Sequence, residues 1–296
     1  VSPEPRKIPV EVEGRSIVLS NLDKVLYPAT GFSKAQVIDY YHRIAPVLLP
    51  HIHSRPVTIK RYPDGVDGES FFQKNAPAHR PDWVPTGAVA VRDRASSRKT
   101  IDYIIGGDLP TLIWAANLAA LELHTPMWRY PEQDPDLLVF DLDPGPPASI
   151  VQCCEVAMLL RPLLTEMGLA PAAKTSGGKG LQLYASVSGM TSPQASDLAK
   201  DLAERLEREH PALVVSRMTR ALRPDRVLID WSQNNSAKTT VAPYSLRARE
   251  QPTVSAPITW DEVAGCRKPG DLVFTADDVL DRVSACGDLF SITLGS

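Results

Sequence analysis

No stretch of the 296-residue chain approaches the roughly 18 apolar residues of a membrane span, and the opening Val1 to Lys7 is followed by no signal-type apolar segment. A cytoplasmic location is the expectation. Cysteine is scarce: Cys153, Cys154, Cys266 and Cys286 show neither C-x-x-C nor mixed Cys/His spacing. That argues against a zinc site or a disulfide framework and leaves the thiols as packing residues. Internal repeats, low-complexity tracts and linkers long enough to separate independent domains are all missing. Nor is there an excess of positive charge. Lys and Arg total 32 against 35 Asp and Glu, a net −3, which argues against a generally adhesive nucleic-acid binder. Hydrophobic residues, at 43%, suffice for a substantial core.

Within this balanced chain, charge is unevenly placed. Pro211 to Glu250 holds seven cations (Arg217, Arg220, Arg223, Arg226, Lys238, Arg247, Arg249) against Asp225, Asp230 and Glu250, a local +4. Just upstream, Leu137-Leu138-Val139-Phe140-Asp141-Leu142-Asp143-Pro144-Gly145 is an apolar strand ending in two carboxylates one residue apart. Residues i and i+2 of a strand share a face, so Asp141 and Asp143 form an oxygen pair suited to a hard divalent cation. Val227-Leu228-Ile229-Asp230-Trp231 repeats the pattern with one carboxylate. Three such groups from two strands suit one or two Mg²⁺ or Mn²⁺ ions, and neighbouring cations suit a polyanionic phosphate substrate. A solvated strand end and a solvated charged face are the plainer readings of the same residues.

Coarse elements place these groups. Gly14–Leu19 reads as a strand, and Ser33-Lys34-Ala35-Gln36 has capping-box form, opening a helix to about Pro50. Pro56–Arg61, Ser70–Lys74, Ala88–Arg92 and Thr100–Ile105 read as a strand meander with Asp64-Gly65 as its first turn. Leu109–Leu121 reads as an apolar helix with His124 at its far end. A helix from about Ser149 to Met167 follows the metal strand, then a strand pair, Pro171–Lys174 and Leu181–Val187, and a helix from about Pro193 to His210. The Asp230 strand and Thr239–Tyr244 come next, and from Pro252 onward Pro-rich coil with a helix at Thr275–Ala285 reads as a wrapping tail. Strands mixed with helices indicate an α+β fold. The expected organisation is a single domain over 1–296, with an N-terminal part over about 14–130, a metal-site part over about 136–250 and a tail over about 251–296.

Thr175-Ser176-Gly177-Gly178-Lys179-Gly180 joins the strand pair. Its glycines allow backbone N–H groups to approach an anion, with Ser176 and Lys179 adding a hydroxyl and a charge. The spacing is not that of a Walker loop, and a flexible hairpin turn is the bland alternative. Lys60-Arg61 and Phe71-Phe72 would meet across a hairpin, one aromatic entering the core and the other free to stack on a base.

Taken in order, Asn21-Leu22-Asp23-Lys24-Val25-Leu26-Tyr27-Pro28, Lys60 to Gly65, Phe71-Phe72, Leu121 to His124, Val139 to Gly145, Thr175 to Gly180 and Asp230 to Asn234 resemble the polymerase domain of bacterial ATP-dependent DNA ligase D and its stand-alone relatives, in the archaeo-eukaryotic primase superfamily. The match runs from about Ser16 to Arg249. The resemblance implies a primase-like core of mixed or antiparallel sheets flanked by helices. It also implies a two-metal nucleotidyl transferase extending a primer with NTP or dNTP, often favouring ribonucleotides and Mn²⁺. It implies metals on Asp141, Asp143 and Asp230, and triphosphate on Ser176, Lys179, Arg223, Lys238 and Arg247. Lys60 and His124 would adjoin the incoming nucleotide, Phe71 and Phe72 the template, and Asn21, Lys24 and Lys34 a downstream 5′-phosphate. Gapped, nicked or broken-end DNA is the implied partner, at the bacterial nucleoid, with a separate ligase or end-binding protein as a further partner. A monomer is expected, since no heptad or long apolar face stands out.

Ligase and nuclease motifs are missing, which fits either a free-standing polymerase or a domain of a longer protein; the short Tyr130–Pro135 segment leans toward a stand-alone member, whose pathway would be gap filling in excision repair rather than end joining. Rival readings are a haloacid-dehalogenase-type phosphatase, from Phe140 to Asp143 and Asp277-Asp278, a metal-dependent glycosyltransferase, and a non-catalytic nucleic-acid-binding module. The first fails where Gly145 replaces the expected Thr or Val, and the second leaves the Arg217–Arg226 cluster unexplained.

Overall fold

The computed structural model describes residues 7–90 and 100–295. Two six-stranded sheets carry the α+β architecture, each with its own buried cluster. The first runs Thr240–Val241, Ala120–Thr125, Pro56–Arg61, Thr100–Ile105, Thr86–Ala90, with Phe71–Gln73 added to Pro56–Arg61. The second runs Val214–Val215, Val227–Asp230, Leu137–Pro144, Leu181–Ser186, Ala172–Thr175, Pro257–Ile258. Pairing is antiparallel except between Val214–Val215 and Val227–Asp230. Among the described residues, no helix is long and apolar enough to cross a membrane.

Local chemistry sets the helix starts. Ser33 accepts from the Gln36 amide while the Gln36 side chain returns to the Ser33 N–H, opening helix Lys34–Ile52 as its capping-box sequence predicts. Ser149 and Thr191 repeat the device for Ile150–Glu166 and Ser192–Glu209. Helix Lys34–Ile52 buries Val37, Tyr41, Ile44 and Leu48 under the first sheet. Helix Ile150–Glu166 buries Cys153, Val156, Leu160 and Leu164 under the second. Cys153, Cys154 and Cys266 are buried, as expected of packing thiols, and Cys286 is exposed.

Several sequence expectations are corrected. The helix beginning at Leu109 stops at Asn117, because Ala119 takes φ +57° and Ala120–Thr125 enters the centre of the first sheet. An apolar run of that length fits a buried strand as well as a helix, and tertiary pairing decides. His124 therefore lies on a strand, opposite Thr58 and Val241, and caps no helix. The meander is also rearranged. Pro56–Arg61 pairs with Phe71–Gln73, Thr100–Ile105 and Ala120–Thr125, while Thr86–Ala90 pairs with Thr100–Ile105. Arg92 of the expected strand lies outside the described residues. The tail is more structured than coil, adding strands Pro252–Val254 and Pro257–Ile258 and helix Trp260–Gly265, whose capping box is Thr259 with Glu262.

Candidate active site

Leu137–Phe140 are buried, and the strand they begin delivers Asp141 and Asp143 to one face. Asp141 lies opposite Asp230 on one neighbouring strand and Gln182 on the other. Asn234 locks this pairing, accepting from the Val139 N–H at 2.9 Å and donating to the Val139 carbonyl at 2.8 Å. Gly145 ends the strand where a Cβ would fall 2.0 Å from the Arg223 carbonyl oxygen, so no larger residue fits beside the cationic loop. Gly180 is similarly confined, its absent Cβ 2.4 Å from the Leu142 carbonyl oxygen, which presses the glycine loop onto the carboxylate strand.

A cavity of about 480 Å³ opens at this junction. It gathers Asp141, Asp143, Ser176, Lys179, Arg223, Arg247 and His124 of the expected site residues, with Gln182, Thr240 and Arg249 besides. Lys60, Lys238 and Asp230 flank it and do not line it. Lys60 sits 5.1 Å from the centres of the Tyr62 and Phe72 rings, and Phe72 meets His124 edge-on at 5.3 Å. Lys238 donates to Ser232 Oγ. Asp230 is turned into its own 3₁₀ turn, Oδ1 accepting from the Ser232 N–H and hydroxyl and Oδ2 from Gln233 Nε2 at 2.9 Å.

That turn explains why, among the described residues, no group of three or more His, Cys, Asp or Glu side chains stands ready to hold an ion. Asp141 and Asp143 nonetheless suit a cation. Asp141 accepts one hydrogen bond, from Gln182 Nε2 at 3.0 Å, and Asp143 accepts none among the described residues. Burial, with the charge of Asp143, pushes the Asp141 carboxyl up to about 7, and burial with Asp230 raises Asp143. A divalent cation would supply countercharge beyond that of Lys174 at Asp141 and Arg223 at Asp143.

The glycine loop differs from a bare N–H cradle. Gly178 and Gly180 donate their N–H groups to Ser176 Oγ at 3.2 and 3.1 Å, so this hydroxyl shapes the loop. Arg247 Nη1 donates to the Ser176 carbonyl at 2.7 Å. Sequence reasoning missed the residue behind this arginine, Glu122. Its Oε1 lies 3.3 Å from Arg247 Nε and accepts from the Ala248 N–H, and its Oε2 lies 2.9 Å from His124 Nε2. Burial alone would raise Glu122, but the His124 hydrogen bond and Arg247 outweigh it and bring the carboxyl to about 2. Burial lowers His124, which as a neutral ring donates Nε2–H to Glu122.

Phe71 and Phe72 are 45% and 55% exposed, so neither enters the core. They point to opposite faces of the hairpin. Phe72 pairs with Lys60 on the cavity side, and Phe71 pairs with Arg61, 5.3 Å from its guanidinium. Burial of the Lys34 ammonium, then the charges of Lys24 and Arg61, lower Lys34 to about 8. Lys34 Nζ donates to the Ser20 carbonyl at 2.7 Å, and Lys24 pairs with Asp64 at 2.7 Å. Asn21 takes φ +53° at the start of this turn, its carbonyl accepting from the Lys24 N–H. Lys24 and Arg61 thus lie close enough to Lys34 to repel its charge, a second cationic cluster beside the Asn21 turn, with Arg61 as a member not foreseen. Asp277 and Asp278, by contrast, sit in the first turn of helix Ala276–Cys286, where Asp278 closes a capping box with Thr275. They line no part of the cavity, which removes the acidic pair of the phosphatase reading.

Strand-borne carboxylates facing a glycine loop and arginines suit divalent cations and a phosphate polyanion. The family model described as LigD, primase-polymerase domain, matches residues 33–290, and the chain belongs to that family of nucleotidyltransferases. Membership entails nucleotide substrates and metal use in general. A multifunctional non-homologous end joining protein LigD of Mycolicibacterium smegmatis is 46% identical over 92% of this chain and 35% of its own length. A bifunctional non-homologous end joining protein LigD of Bacillus subtilis is 33% identical over 90% of this chain and 42% of its own. The chain thus spans about a third to two-fifths of these relatives. A solved structure, the polymerase domain from Mycobacterium tuberculosis ligase D in complex with DNA, superposes with a TM-score of 0.88 at 44% identity, covering 94% of this chain and 98% of that one.

Proposed function

We propose that this domain adds ribo- or deoxyribonucleotides to the 3′-hydroxyl of a DNA primer at short 5′-phosphorylated gaps or broken ends. The carrying observation is the cavity that joins Asp141 and Asp143 to Ser176, Lys179, Arg223 and Arg247. Carboxylates alone would repel a triphosphate, and cations alone would need no carboxylates. Together they fit a phosphate substrate that arrives with divalent metal.

Asp141 and Asp143 would hold Mn²⁺ or Mg²⁺, with Asp230 joining once its carboxylate leaves Ser232 and Gln233. Two ions bound there would lower the pKa of the primer hydroxyl and neutralise the departing pyrophosphate. Lys179, Arg223 and Arg247 grip the triphosphate, with Arg247 held in orientation by Glu122, while Lys238 approaches from the Asp230 side. Neutral His124, fixed by Glu122 through Nε2, keeps Nδ1 for a ribose or base contact, and Lys60 lies beside it. Phe72 offers a stacking face on the cavity side and Phe71 one on the other. Asn21, Lys24 and Lys34 take the downstream 5′-phosphate. The Lys24–Asp64 pair is exposed, worth roughly 0–1 kcal/mol, and yields easily to a phosphate. The unit acts as a single-domain monomer at the bacterial nucleoid, beside a ligase activity that seals the filled gap.

Nucleotide addition on gapped DNA with and without the downstream 5′-phosphate, with NTP or dNTP and Mn²⁺, tests this reading. Addition enhanced by the phosphate and lost in an Asp141→Ala, Asp143→Ala variant is expected. DNA binding without addition under any condition would replace it with a non-catalytic binding module.

A further inference from the structure

Behind the Asp141 carboxylate lies a row of buried polar side chains with no direct part in the reaction. Lys174, Gln182 and Asp141 occupy matching register positions on three adjacent strands. Lys174 is 0% exposed, Ser255 0% and Gln182 4%. Lys174 Nζ donates to Gln182 Oε1 and, at 2.7 Å, to Ser255 Oγ. Ser255 spends its own hydrogen on the Thr175 carbonyl at 2.8 Å, so it can only accept from Lys174. Gln182 Nε2 then donates to Asp141 Oδ1 at 3.0 Å.

Burying a lysine is costly, and an apolar residue of similar volume would serve packing better. What lysine adds is donors. As ammonium or as amine it has an N–H for each of the two acceptors it meets here. A glutamine amide can otherwise turn over and exchange its oxygen for its nitrogen. A donor at Lys174 fixes the choice: Oε1 faces the lysine, so the NH₂ group faces Asp141. The carboxylate is then held by one oxygen, and its remaining lone pairs are directed from a single rotamer into the cavity shared with Asp143.

We propose that Lys174, acting through Gln182 and anchored by Ser255, is a positioning residue that sets the Asp141 carboxylate for a divalent cation. This rests on the reading of Asp141 as a metal ligand. Partners of this kind behind metal ligands typically change metal affinity about 10–100-fold when removed.

The test is Mn²⁺ binding to the metal-free chain, followed by loss of the free-ion electron paramagnetic resonance signal, with thermal denaturation of each metal-free variant alongside. Lys174→Met and Gln182→Met should each weaken binding about tenfold. The double variant should be no weaker than the worse single, because both act along one path. Asp141→Ala should lose the tight site. Wild-type binding by Asp141→Ala would overturn the metal-ligand reading and the relay with it. Loss in Asp141→Ala, with folded Lys174→Met and Gln182→Met binding within about twofold of wild type, overturns the relay alone. A lower Tm without weaker Mn²⁺ binding also overturns it, as a purely structural role. Should Lys174→Met fail to fold, Gln182→Met carries the same expectation, and unchanged affinity there refutes the proposal.

Discussion

The carboxylate cavity on the Phe72 face of the Pro56–Arg61 and Phe71–Gln73 hairpin and the lysine cluster on its Phe71 face differ in the charge they crowd together. On the Phe72 side, cations face crowded carboxylates whose pKa values are raised by burial and by one another. On the Phe71 side, Lys24, Lys34 and Arg61 crowd one another, and burial with their repulsion lowers Lys34 to about 8. On the proposed reading the first is completed by a cation and the second by an anion. Metal dependence therefore belongs to one side and salt dependence to the other.

The sharpest way to separate them is Asp141→Ala with Asp143→Ala. Nucleotide addition should fall by about 10³-fold or more, while gap binding and its 5′-phosphate preference persist. A parallel loss of phosphate preference would join the two sides. Lys24→Ala with Lys34→Ala should do the reverse, erasing roughly tenfold preference for phosphorylated gaps while leaving Mn²⁺ affinity intact. Because Lys34 titrates at about 8, that preference should fade as pH rises through 8, and Lys34→Arg should hold it constant. Gapped-DNA titrations across pH 7 to 9 would register either result. Smaller effects should distinguish the aromatics: Phe72→Ala should cost about fivefold in nucleotide addition and Phe71→Ala less, measured as kcat/KM for NTP. Equal losses would contradict the division by the hairpin.

Stability offers the mildest comparison. Asp141 is raised from 3.8 to about 7, so the folded state favours its protonated form. That contribution is complete below about pH 4 and is lost as pH rises through about 7. Metal-free protein should therefore lose several degrees of Tm over that interval, since a carboxyl raised from 3.8 to about 7 contributes at most roughly 4 kcal/mol. Mn²⁺ should restore it above pH 7, and Asp141→Asn should flatten the slope. A flat profile in the parent protein would show that the carboxylates are already balanced.

How much of this was legible in the sequence depended on whether chemistry or packing chose the residue. Asp141, Asp143, Ser176, Lys179, Arg223 and Arg247 are charged or polar residues at strand ends and loops, where no core demands them, and the cavity brings all six together. Glu122, Lys174 and Gln182 sit inside strands among apolar neighbours. Their partners lie 2 to 126 positions away, as His124 from Glu122 and Ala248 from Glu122 illustrate, and spacing alone does not find such partners. Ala120–Thr125 was hidden because all six residues are buried, which erases the alternation that marks a strand. The outward turn of both phenylalanines was equally hidden, since an exposed aromatic pair and a half-buried one have the same sequence.

One short hairpin carries Phe72 toward the carboxylate cavity and Arg61 toward the lysine cluster, and its Pro56–Arg61 strand is paired with Ala120–Thr125 and Thr100–Ile105. A wall between two such grips would be a ruler. On the proposed reading, a primer end held on one side and a phosphorylated end on the other must span its thickness, so the interval between the grips is set by the protein and not by the DNA. Gap length would then be measured mechanically, with no base being read.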